Sequence, residues 1–223
     1  MAADTAGMAW GGDGFAALPQ SVLLELRRSL LQRISVRMLA AGWPPDRAGG
    51  EQMTQPAPGR EREALLEWLD DQRSHVLGVL KGLSEEKLRQ PVLPSGWSCL
   101  ALVRHLAVDD ERFWFRAVAA GEALDLNDDT GWQLSPDEPA EAVLDLYRRE
   151  TSASDAVLAG LSLDAPPARW PDYFSGWRLR DVREIILHVI TETAVHAGHL
   201  DAARELLDGR TWLGPEDTRI PRG

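Results

Sequence analysis

Residues 179–209 read LRDVREIILHVITETAVHAGHLDAARELLDG, and the periodicity of this stretch decides the fold. Apolar residues recur at three- and four-residue intervals, which predicts one long amphipathic helix over 179–207, closed by Gly209. Three of the chain's five histidines fall inside it. With His188 set at 0° and about 100° added per residue, Glu192 falls at about 40°, His196 at about 80° and His199 at about 20°. Ile185, Val189 and Ala203 share that side, so the stripe faces a helical interior. Burying imidazoles and a carboxylate there without partners costs on the order of several kcal/mol. A divalent metal removes that penalty, because neutral imidazole and carboxylate are its ordinary ligands. A hydrogen-bonded Glu–His–His network in the core fits the same spacing.

Three further helical patterns precede this one. The first spans 61–83, with Leu65, Leu66, Leu69, Val76, Leu77 and Leu80 as its stripe, and Ser84 caps a short turn after it. The second spans 99–120 between the N-cap Ser98 and the C-cap Gly121. The third spans 139–161, after a Ser135–Pro136 start signal. No stretch alternates like a strand. The predicted fold class is therefore all-α, a four-helix bundle. The connection 121–138 is long enough to cross one end of the bundle or to form a lid. Bundles complete metal sites with a ligand from a facing helix, and the 99–120 helix offers His105, between Leu102 and Leu106. His75, beside Arg73 and Ser74, stands alone and reads as an ordinary packed histidine.

Upstream, residues 44–60 read PPDRAGGEQMTQPAPGR, too rich in Pro and Gly for a helix or strand. The expected organisation is an N-terminal extension at 1–52, a linker at 53–60, the bundle at 61–209 and a tail at 210–223. Met53 has the context of a translation start, so the extension need not belong to the working protein. Within it, Leu23, Leu24, Leu26, Leu30, Leu31 and Ile34 predict an amphipathic helix over 21–41, either a docking or membrane-surface helix, or a weakly packed or poorly ordered extension. The formal net charge is −11, and all of it lies beyond residue 52. That balance opposes binding to nucleic acid or to an anionic membrane surface. A single cysteine excludes an internal disulfide framework and suits a reducing cytoplasm. No apolar run approaches the roughly 20 residues that span a bilayer.

The segments GWSCLALVRHLAVDDERFWFRAVAAGE (96–122) and TETAVHAGHLDAARELLDG (191–209) resemble the DinB-like superfamily, in its DUF664 branch. That superfamily includes a mycothiol-dependent maleylpyruvate isomerase and the mycothiol and bacillithiol S-transferases. The resemblance covers about 61–209. It implies a divalent metal, with zinc ahead of nickel or another ion, held by His105, Glu192 and His196. Glu192 is similar to the isomerase-like members, since many relatives carry His there. His199 would stand beside the metal as an acid–base group, and His188, outside the motif, would pack in the core. The implied co-substrate is a low-molecular-weight thiol, mycothiol first, which attacks a small electrophile and ends in S-transfer or isomerisation.

Other residues carry weaker signals. Asp109, one turn after His105, could orient its imidazole or belong to a solvated acidic run. Arg204, about 80° from His196, could meet a substrate carboxylate or pair with a nearby acid. Trp97, Trp114 and Trp177 could wall a pocket or fill the core, and Trp114 is the substrate-binding candidate. Cys99 lies about 240° from His105 around its helix, so it reads as a small buried hydrophobe rather than a nucleophile. Two other functions suit the same pattern. One is a non-catalytic bundle acting through a partner or a homodimer, whose metal would be closed by a fourth protein ligand. The other is a hydrolase using metal-bound hydroxide.

Overall fold

Capping side chains and left-handed glycines set where most of the helices begin or end. The computed structural model describes residues 59–124, 131–172, 174 and 176–212. The expected extension, its helix over 21–41 and the tail beyond Trp212 lie outside the described residues. Helix α1 (Arg60–Leu80) stops one turn before the predicted 83, because Lys81 turns extended and Gly82 takes φ 80°. A short α2 (Glu85–Arg89) follows, with Ser84 Oγ accepting from the Lys87 N–H at 3.3 Å. Helix α3 (Cys99–His105) starts behind Ser98, whose Oγ accepts from the Ala101 N–H at 3.2 Å. It runs on without a break as a π-wound stretch, Leu106–Ala119. Helix α4 spans Ala140–Gly160 and α5 spans Val182–Asp208. The pattern placed the start of α5 at 179. It begins at Val182 because Asp181 is extended and its carboxylate accepts from the Glu184 N–H at 2.9 Å.

Among the described residues every regular element is helical, so the all-α bundle is observed. None of these helices is long and apolar enough to cross a membrane. Helix α1 packs along α5, and α3 with its π-wound continuation lies against both α4 and α5.

The winding of α3 changes what faces inward. A hydrogen bond to the fifth residue back, seen where the Ala120 N–H donates to the Phe115 carbonyl at 3.0 Å, widens the turn. Residues four to five apart then share a face, in place of three to four. Buried pairs recur every fourth residue, Leu106–Ala107, Asp110–Glu111, Trp114–Phe115 and Val118–Ala119, with Val108 and Ala117 buried beside the first and last of them.

The second of those pairs is acidic, and it falls in a polar layer that divides the core. One apolar cluster gathers Val76, Val79, Leu100, Leu102, Leu106, Val143, Tyr147, Ala197 and Leu200. The other gathers Leu69, Trp114, Phe115, Val118, Leu158, Val182, Ile185 and Val189. On α1 the residue between them is Arg73, 5% exposed, whose Nε and Nη2 each donate to Glu111 at 2.7 Å while Nη1 reaches Asp155 at 2.6 Å. On α4, Glu150 accepts from Arg112 and Arg116 at 2.8 and 2.9 Å, and Ser154 donates to the Glu111 carbonyl at 3.3 Å. On α5 the same level carries Glu192, Thr193 and His196.

Candidate active site

His105 ends the regular part of α3, just where the winding widens, and its side chain is half-buried. Its Nδ1 lies 2.7 Å from Asp109 Oδ2. Asp109 is held in turn by the Gly131 N–H, at 3.2 Å to Oδ2 and 3.4 Å to Oδ1. Gly131 fits because it has no side chain: a Cβ there would stand 2.5 Å from His105 Cα and 2.6 Å from Asp109 Oδ2. The next residue, Trp132, stacks on the His105 ring with centroids 4.2 Å apart and planes at 18°. One dipeptide thus fixes both partners of the imidazole.

Helix α5 brings the other histidines to the same place. The His196 ring meets His105 edge-on, with centroids 5.1 Å apart. Its Nε2 lies 4.0 Å from Glu192 Oε2, one turn earlier on α5, and its Nδ1 lies 3.4 Å from His199 Nδ1. His199 is exposed, 5.9 Å from the Trp97 ring. Burial, and then the neighbouring His105 and His199, push the His196 imidazole down to about 4. It is therefore neutral at physiological pH. Both Nδ1 atoms have a partner, so the Nε2 atoms of His105 and His196 are the ones left for a ligand or substrate. Among the described residues, no three His, Cys, Asp or Glu side chains already form a group that could hold a metal ion.

A family model of the mycothiol-S-transferases matches residues 64–209. The chain belongs to the mycothiol S-transferase family. It is thus a thiol S-transferase by family, and the match runs from α1 through the Gly209 cap of α5, taking in all five histidines. No curated protein and no solved structure matches the chain.

Within this mycothiol S-transferase bundle, the expected residues separate into two groups. His105, Asp109, Glu192, His196 and His199 come together where α3 and α5 meet. Arg204 and Trp114 do not join them. Arg204 is 3% exposed, and its Nη1 donates to the Val79 and Lys81 carbonyls at 2.6 and 3.0 Å while Nε donates to Asp208 at 2.9 Å. It closes the otherwise unpaired C-terminal carbonyls of α1, and of the two readings of Arg204 the structure shows the pair with a nearby acid, Asp208, rather than a side chain free for a substrate carboxylate. Trp114 is 5% exposed, stacked on Phe174 at 5.7 Å and edge-on to Trp177 at 5.7 Å. It belongs to an aromatic core cluster rather than to a substrate wall. His188 joins that cluster, 4.7 Å from the Trp114 ring, and burial lowers its pKa against the opposing pull of Glu192.

Cys99 is 1% exposed, and burial pushes its thiol up to about 11. His75 pairs with Asp201 at 3.0 Å and stacks on Trp212 with centroids 4.1 Å apart, the packed histidine that the sequence suggests.

Trp132 and Gly131, which stand at the site, and Asp110, buried on the same helix as His105, were not among the expected residues. Trp132 sits in a connection without periodicity, so nothing in its neighbourhood along the chain ties it to His105. Asp110 did carry a signal: it occupies an inward slot in the four-residue rhythm of α3. Angles drawn for an α-helix turn it away from His105.

Proposed function

We propose that this S-transferase is metal-dependent, with His105, Glu192 and His196 holding a divalent cation and with mycothiol as the thiol. The observation that carries this is the pair of histidines from facing helices, each with Nδ1 partnered and Nε2 left over. Metal-binding imidazoles are oriented in this way, by a partner on the second ring nitrogen. The low pKa of His196 supports it, since a neutral ring binds without first losing a proton. The Glu192 side chain is 41% exposed and has room to turn toward the two rings. The donor set of two imidazoles and one carboxylate suits zinc, with nickel as a second candidate.

When bound there, the cation supplies Lewis acidity, which favours loss of the thiol proton near neutral pH. Asp109 keeps the His105 ring in orientation. Exposed His199, in contact with His196, takes the thiol proton and passes it to water or to the product. The sulfur lone pair forms an S–C bond with a small electrophile, and the displaced electron pair leaves with a leaving group or is protonated. Release of that adduct is S-transfer, whereas elimination of the thiol after rotation is isomerisation.

The test is metal content by mass spectrometry on the wild type, His105→Ala and His196→Ala. About one cation per wild-type chain, lost in both variants together with mycothiol consumption, is the expected result. A metal-free wild type that also refuses added zinc and nickel, yet still consumes mycothiol, contradicts the metal-dependent mechanism.

A further inference from the structure

Asp110 has no role in the centre described so far. It is 4% exposed, and its Oδ2 has no hydrogen-bond partner. The charged groups acting on it are Glu192 of α5 and Asp109 and Glu111 of its own helix, all acidic. Arg73 offers no relief, because its three guanidinium nitrogens are taken by Glu111 and Asp155. From α4, Tyr147 presents a buried hydroxyl that also lacks a partner, and Asp110 and Glu111 are among the charges acting on it. A buried carboxyl in this setting is costly to the fold. Its neighbours supply negative charge and no cation.

Resting on the metal reading above, we propose that Asp110 is a further oxygen donor to the same divalent cation, reaching it from the π-wound face of α3 beside Glu192. The π winding makes this possible, since it brings the residue five positions after His105 round to the His105 side. A cation then faces four donors, two neutral rings and two carboxylates, with a fifth position still open to the thiol, and Asp110 gains the counter-charge that the protein itself withholds. The metal-free chain carries the unpaired carboxyl as a standing penalty to stability. Binding relieves it.

The experiment compares the full-length wild type with Asp110→Asn and Asp110→Leu, using zinc and cobalt(II) alone as probes. Expected is a 10- to 100-fold loss of zinc affinity in both variants, the size seen when supporting groups of a metal site are removed. The visible spectrum of the cobalt(II) form should change in both, because the number of protein donors changes. Melting temperatures of the metal-free variants should equal or exceed that of the metal-free wild type. Unchanged affinity and spectrum, or two variants that do not fold, make Asp110 a residue of the fold and overturn the proposal. A wild type that binds neither ion overturns the metal reading and this proposal with it. Binding by the wild type that the variants reproduce overturns this proposal alone.

Discussion

Gly131 carries no side chain into the gap between Asp109 and His105, and that gap has no room for one. Gly131→Ala must therefore displace the Asp109 carboxylate or the backbone of α3. The expected cost is about 1–3 kcal/mol, as for other overpacked sites, read as a lower midpoint in urea, and zinc affinity should fall with it. An alanine variant that keeps wild-type stability and affinity would separate the loop from the histidine pair. His196 makes a pH prediction. Its folded pKa, about 4, lies below the ordinary value near 6.5. Between those values the unfolded chain holds the extra proton, so stability falls as pH drops from about 6.5 toward 4. His188, also lowered by burial, acts in the same direction. Melting temperatures of the metal-free protein across this range should show that slope, and His196→Gln should flatten it without abolishing it. The histidines and Glu192 were legible in the sequence because helical arithmetic is local. Arg204 was legible in part: its pairing with a nearby acid is the bond to Asp208 one turn on, whereas its other partners, the Val79 and Lys81 carbonyls, lie more than a hundred residues away.

Helices α1, α4 and α5 were legible from 3.6-residue periodicity and caps, with errors confined to their ends. Those errors have definite causes: the left-handed Gly82 and the Asp181 cap act on single residues that periodicity averages over. The span of α3 with its π-wound continuation was legible to within a residue, whereas its winding was not. The pairing of Asp110 with Glu111 in a slot otherwise held by apolar doublets is the local sign of wider winding. Glu111 is 1% exposed and depends on Arg73 from α1 for its charge balance. Arg73→Leu leaves that carboxylate buried without its partner, and the expected loss is about 3–5 kcal/mol. Combining it with Glu111→Leu should recover most of the loss, since an apolar pair can replace a buried ion pair. A double-mutant cycle by chemical denaturation measures this, and strict additivity would mean that the two residues stabilise the fold independently.

Across the described bundle, two apolar clusters are joined through a layer of charges, and the site lies at the edge of that layer where α3 and α5 meet. The layer keeps carboxylates close to the histidines, at the cost of a continuous core. Glu150, whose pKa is lowered by Arg112 and Arg116 against the opposing effect of burial, adds to acid sensitivity. Its contribution is complete above about 4.5 and is lost as pH falls through its lower folded value. Cys99 lies elsewhere, in the apolar cluster at the start of α3. It is the only cysteine in the chain, 1% exposed, with a thiol pushed up to about 11. Maleimide at neutral pH should leave the native protein unmodified and label it once denaturant opens the bundle, so that labelling and loss of ellipticity trace one transition. Rapid labelling of the native protein would place Cys99 within reach of solvent. Packing thus shields the one cysteine of a thiol S-transferase, and leaves the bundle without an accessible thiol of its own to react in place of a co-substrate's.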